Sequence, residues 1–308
     1  MMRKKTRGFY HILAAVCLIS LLSGCGRSTA EHTQAPASNT PTQTQRPAAI
    51  TAAPTPVPTA TPAPTQAPSA RPTTAPTPAP TPKPNHNVYN GSYTLGTFVP
   101  ESAQVDDSWF STAAFLGDSR TEGLQAYSGL KYGDFFYSRG MNVFRVDDDN
   151  YKVVTIGGQK YTILDALARK QYQSVYIMMG INELGYPAAS FRSGLSKLLQ
   201  RVNEIQPNAV IYLQTLPPVN EEVAQKNKLD PSINNTNVAT FNQIIKELAA
   251  QYKVALIDTG SVYRDQNGSL PANLASDGVH FVPSAYRRWV DYMASHTLSF
   301  QSFDASRK

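Results

Sequence analysis

Cysteine is almost missing from this chain of 308 residues, and the two that occur, Cys17 and Cys25, lie within its first 25 positions. The rest therefore has no disulfide, no thiolate nucleophile and no cysteine metal site, and its hydrophobic core alone must hold the fold. Histidine is nearly as scarce. Beyond residue 87 only His280 and His296 occur, so chemistry that needs an imidazole has two places to find it. There is no glycine-rich phosphate loop, no metalloprotease helix motif and no Gly-x-Ser-x-Gly elbow. The net charge of +6 comes from the first 87 residues, which carry eight basic side chains and one acidic one; residues 88–308 are left at −1. A near-neutral remainder lacks the electrostatic footprint of a nucleic-acid-binding domain.

The leader explains much of that charge. Arg3, Lys4, Lys5 and Arg7 precede an apolar run from Ile12 to Leu22 that is too short for an ordinary membrane span. Residues 1–24 read as a secretion signal, and Leu22-Ser23-Gly24-Cys25 resembles a bacterial lipoprotein signal, which implies lipidation of Cys25 and anchorage to the outer face of the cell membrane. Residues 26 to about 87 read as a linker. Fifteen of the 23 prolines fall there, interleaved with Thr and Ala, as in Thr77-Pro78-Ala79-Pro80. Such a stretch has little to bury and favours extended polyproline conformations, with an upper reach on the order of 190 Å.

Residues 88–308 alternate strand and helix patterns. Short apolar runs at Ala113–Leu116, Phe135–Ser138, Ser174–Met179, Ala209–Leu213 and Val254–Ile257 predict five strands. Thr162 with Asp165 three positions on predicts a helix start. Phe191, Leu195, Leu198, Leu199, Val202 and Ile205 fall at helical spacing, as do Phe241, Ile244, Ile245 and Leu248, and Pro283 suits the start of a last helix through Trp289, Val290 and Met293. Repeated β-α units predict one α/β domain with a parallel sheet and helices on both faces. Residues 88–110 read as a lead-in packed on its core, and Asn220–Asn237 as a long loop.

The chemistry concentrates at strand ends. Phe115-Leu116-Gly117-Asp118-Ser119-Arg120 runs from a strand through a sharp turn into a helix, which puts Ser119 where α/β sheets bind ligands. A serine there becomes a nucleophile if a base reaches it; otherwise Asp118 and Ser119 are helix caps. His280, in Ser276-Asp277-Gly278-Val279-His280, is the base by elimination, because His296 sits near the end of the last helix, where a cation is simply favourable. Asp277 is three residues away, within reach to orient the imidazole. Gly140 and Asn182 follow two other strands and offer a backbone and a side-chain N–H to a developing oxyanion, alongside the N–H of Ser119. Arg120 reads either as a contact to an anionic substrate group or as a structural salt bridge.

In that order, Gly117-Asp118-Ser119, Arg139-Gly140-Met141, Gly180-Ile181-Asn182-Glu183 and Asp277-Gly278-Val279-His280 resemble the four blocks of the SGNH/GDSL esterase family over roughly residues 110–300. The resemblance implies a flavodoxin-like three-layer fold with a parallel five-stranded sheet, Ser119 as nucleophile, Asp277 and His280 as its partners, and Gly140 and Asn182 in the oxyanion hole, with no metal or organic cofactor. Arg120 and Glu183 depart from the usual Leu and Asp. The expected substrate is an acylated carbohydrate or cell-wall polymer losing small acyl groups; a D-alanyl ester, a lipid ester, acyl transfer by the same residues, and a non-catalytic wall-binding module are the alternatives. Ser128-Gly129-Leu130-Lys131 matches the Ser-x-x-Lys of penicillin-binding enzymes without their companion motifs, and Asp147-Asp148-Asp149-Asn150 reads as a solvated turn rather than a calcium loop.

Overall fold

In the computed structural model residues 88–308 are described; the expected signal, Cys25 and the linker lie outside them. From the amino end come β1 (Ala113–Gly117), α1 (Ser119–Tyr127) and β2 (Asp134–Tyr137), then a hairpin of β3 (Val154–Ile156) and β4 (Gln159–Tyr161). There follow α2 (Ile163–Ala168), β5 (Ser174–Met178), α3 (Ala188–Ile205), β6 (Val210–Gln214), α4 (Glu221–Lys226) and α5 (Asn235–Gln251). The chain closes with β7 (Ala255–Ile257), α6 (Thr259–Tyr263), α7 (Tyr286–Ser295) and α8 (Phe300–Ser306).

Strands β1, β5, β6 and β7 are buried at every position, as parallel strands covered on both faces must be. Their apolar runs leave no polar side to face water. The five strands pair in parallel in the order β2-β1-β5-β6-β7, so the direction of winding reverses between β1 and β5. A crevice opens at such a switch point, outside the carboxyl ends of the strands. Across one face Phe135, Phe115, Tyr176 and Tyr212 stand in register and stack, with successive ring centroids 4.5, 5.2 and 4.6 Å apart. A slip of one residue would turn every member of that ladder to the other face.

The helices bury the stripes their spacing predicts: Phe191, Leu195, Leu198, Leu199 and Val202 on α3, and Phe241, Ile244, Ile245 and Leu248 on α5. Phe191 and Phe241 stack where the two meet, 4.2 Å between centroids. Thr162 caps α2 by accepting from Asp165 N–H at 3.0 Å. Pro283 opens a short 3-10 turn that feeds α7, and Trp289 anchors that helix by donating to Gln214 at 2.7 Å.

Three segments differ from expectation. The loop read over Asn220–Asn237 contains α4, capped by Asn220, and ends as α5 begins at Asn235; this six-residue helix is too short to show an apolar period. The β3–β4 hairpin turns on Gly157 and Gly158, both at positive φ, the usual chemistry of a tight hairpin, but its strands are mostly exposed and carry no alternation. Helix α8 was not anticipated either. The lead-in does pack on the core: Val99 and Val105 are buried, and Val99 N–H donates to Leu256 of edge strand β7 at 2.8 Å.

Candidate active site

Strand β1 ends where it cannot carry a side chain. A Cβ on Gly117 would lie 1.9 Å from Thr121 Oγ1 and 2.8 Å from the Met178 carbonyl of β5. Asp118 then caps α1, accepting from Arg120 N–H at 2.8 Å, and Ser119 is the first helical residue. Burial raises the Asp118 carboxyl to about 6 against the hydrogen bond from Arg120 N–H and the charge of Arg120.

His280 reaches Ser119 from a loop closed on itself. Ser276 N–H donates to the His280 carbonyl at 2.8 Å, and Ala275 bridges Phe281. Gly278 adopts φ +101°, and a Cβ there would meet Ala224 N at 2.4 Å, so the turn needs glycine on two counts. One carboxylate oxygen of Asp277 accepts the Val279 and His280 N–H groups at 2.9 and 2.8 Å, and the other lies 2.7 Å from His280 Nδ1. Burial works against ionising Asp277, but the side-chain and backbone hydrogen bonds from His280 and the one from Val279 outweigh it and hold the carboxyl well below its ordinary value. An ionised Asp277 can only accept, so Nδ1 carries a proton, and in the neutral imidazole Nε2 then accepts from Ser119 Oγ, 2.7 Å away.

The other two elements are gripped together. Gly180, at φ +135°, turns the chain after β5. Asn182 Nδ2 donates to the Met141 carbonyl at 2.8 Å, and Glu183 accepts from Val143 N–H at 2.7 Å. Two neighbouring residues thus fix both ends of the three-residue segment that follows Gly140. Gly140 itself sits at φ +69° with open space where a Cβ would point, a left-handed backbone angle that favours glycine. Glu183 is fully buried; burial, aided by the Asp118 charge, raises its carboxyl to about 8.

Ser119, Gly140, Asn182, Asp277 and His280 line one cavity of about 540 Å³. A Ser–His–Asp chain beside three N–H donors can transfer a proton away from an attacking hydroxyl and hold an oxyanion. Arg120 does not belong to that cavity. The expectation that it contacts substrate is overturned: its side chain is 0% exposed. Its guanidinium donates to the Val279 carbonyl at 3.1 and 2.9 Å and to the Pro217 carbonyl at 3.2 Å, and lies over the Phe281 ring. It is a strut between two loops, not a salt bridge. His296 caps the carboxyl end of α7, where burial lowers its pKa; it stacks on Tyr292 and does not line the cavity that holds Ser119. Ser128 ends α1 and accepts from Leu130 N–H. Asp148 and Asn150 bond within their own exposed turn, and among the described residues no cluster of acids and histidines is placed to hold a metal.

The cavity also holds residues that sequence reasoning passed over: Glu122, Tyr127, Arg139 and Tyr286. A signal for two of them existed. Glu122 and Tyr127 stand three and eight places after Ser119, on its face of a helix. Gly123 lets Tyr286 close in, since a Cβ there would lie 2.1 Å from its hydroxyl.

The pattern of the GDSL-like Lipase/Acylhydrolase family matches residues 115–288. No curated protein matches the chain. Among solved structures it is similar to a protein of Streptococcus pneumonia provisionally described as a platelet activating factor, at 22% identity over 59% of this chain and 81% of that one, with a TM-score of 0.48. It is also similar to a GDSL-like lipase of Bacteroides thetaiotaomicron (13% identity, 65% and 90% covered, TM-score 0.44) and to an acetyl xylan esterase (18% identity, 59% and 96% covered, TM-score 0.42).

Proposed function

Since the chain belongs to the GDSL-like lipase/acylhydrolase family and is a carboxylic ester hydrolase, we propose that Ser119 is its nucleophile, His280 its base and Asp277 the group that orients that base. The observation that carries the reading is the unbroken run from Ser119 Oγ through His280 to Asp277, both links 2.7 Å long. Ser119 Oγ attacks the acyl carbonyl as its proton passes to Nε2. The negative oxygen is met by the N–H groups of Ser119, Gly140 and Asn182 Nδ2. Collapse breaks the ester C–O bond, and His280 returns the proton to the departing alcohol. Water, losing a proton to His280, then attacks the acyl-enzyme; the acyl C–Oγ bond breaks, His280 returns the proton to Ser119 Oγ, and the acid is released.

The substrate is a small, chiefly O-acetyl, ester on a glycan or cell-wall polymer. Polar side chains around the nucleophile and the proline-rich stretch upstream support this. Cys25 is the lipid-anchored residue and the enzyme acts outside the cytoplasm, a reading supported by the charged and apolar leader. Hydrolysis of a short-chain acetyl ester by the wild type beside Ser119→Ala tests the chemistry. The variant is expected to lose at least about 10⁴-fold in kcat with its circular dichroism unchanged. Equal activity in the two would remove Ser119 from the mechanism.

A further inference from the structure

Resting on Ser119 as nucleophile, we propose that Glu122, Tyr127 and Arg139 form the subsite for the alcohol half of the ester, and that its occupant is a sugar ring bearing free hydroxyls. The three line the cavity that holds Ser119 and His280. Glu122 and Tyr127 project from α1, the helix that Ser119 begins, and Arg139 immediately precedes Gly140. The wall is therefore built on the same two elements that present the nucleophile and one of the oxyanion donors.

The chemistry of the wall is specific. Arg139 donates to Glu122 through Nε at 2.6 Å and Nη2 at 2.9 Å, a two-pronged pair. The arginine side chain is 82% exposed and the glutamate 27%, so the pair forms a rim to the cavity. An ion pair this exposed contributes little to stability. It does hold a donor and an acceptor side by side. Arg139 has five N–H groups and spends two on Glu122; each carboxylate oxygen accepts one bond and keeps capacity for another. Adjacent hydroxyls of a sugar, each both donor and acceptor, match that alternation. Tyr127, 56% exposed and tilted against Tyr286 with centroids 5.7 Å apart, adds an apolar ring with a polar tip. A few placed polar groups beside an aromatic surface are what orients a small polar ligand.

The same features argue against two other occupants. Glu122 already neutralises Arg139, so an anionic group would meet a balanced pair and not a free cation. A long-chain alcohol would need an apolar channel, and this wall puts an ion pair there.

The test compares kcat/KM of the full chain on a mono-O-acetylated methyl glucopyranoside and on ethyl acetate, which share the acyl group and an aliphatic alcohol but not the ring. The wild type is expected to prefer the sugar ester. Arg139→Ala, Glu122→Ala and Tyr127→Ala are each expected to lower the sugar-to-ethyl ratio by about tenfold or more, chiefly through KM. Methyl glucopyranoside, needing no variant, is expected to inhibit ethyl acetate hydrolysis competitively. A wild type without preference or inhibition, or ratios unmoved in all three variants, would overturn the subsite and leave the esterase mechanism standing. Ethyl acetate hydrolysis surviving in Ser119→Ala would overturn the mechanism on which it rests, and a wild type inactive on every ester would overturn both.

Discussion

Replacing Arg120 by leucine should cost both stability and turnover, although Arg120 never meets the substrate. Its guanidinium supplies the partners of two buried carbonyls, Pro217 on the loop after β6 and Val279 beside the base. Leucine removes both sets of donors. A buried acceptor left without a partner costs about 1–3 kcal/mol, so two cost about 2–6. Part returns because burial opposes the charge on Arg120 in the first place, and a net loss of about 3 kcal/mol is expected. For a domain of this size, each kcal/mol shifts Tm by about 2–4 °C, which gives a fall of about 6–12 °C. Because Val279 adjoins His280, kcat should fall with it. Arg120→Lys keeps the charge but not the fork, and should lie between the two. Thermal unfolding and acetyl ester hydrolysis measure both effects. An unchanged Tm, or a loss of activity confined to anionic esters, would refute the strut and return Arg120 to the substrate.

Other predictions concern the supports of the site. Glu183 ionises at about 8 in the folded chain against an ordinary 4.5, chiefly through burial. Between those values the folded chain keeps a proton that the unfolded chain has lost, so this group makes stability fall as pH rises through that window. Glu183→Gln, whose amide oxygen can still accept from Val143, should flatten the fall in urea unfolding across it; identical slopes in the two proteins would show that Glu183 is not held neutral. Gly278→Ala should lower both Tm and kcat, since its Cβ would press on the Ala224 backbone from a left-handed turn; a variant as stable and as active as the wild type would mean that the loop relaxes without moving His280.

The fold was legible because its strands are buried on both faces. Ser174 to Met178 has no polar side to hide, so its apolar run reads plainly as a strand. Ser119, Asn182, Asp277 and His280 were legible because each follows a strand or a glycine turn at a chemically meaningful spacing. Arg120 was not. A charged residue beside a nucleophile invites a substrate role, and only tertiary packing shows that two loops fold over it. Glu183 was hidden for the same reason: its partner, Val143, lies 40 residues away. Glu122 and Tyr127 could have been found from helical periodicity starting at Ser119. Arg139 could not, since its pairing with Glu122 depends on how β2 lies beside α1.

The lead-in has a mechanical consequence. Tyr89 N–H bonds the Thr297 carbonyl, and Ser102 and Val105 bond the carbonyls of Ser295 and Ala294. These contacts gather at and just beyond the last turn of α7, about 13 Å along the helix from Tyr286 at the cavity. A pull applied through residues preceding Val88 would be taken up first by that hydrogen-bonded seam and by the edge of β7, where Val99 is held. Neither Ser119 on α1 nor His280 on its loop makes any of these bonds, so tension on the chain would peel the seam before it disturbed their alignment.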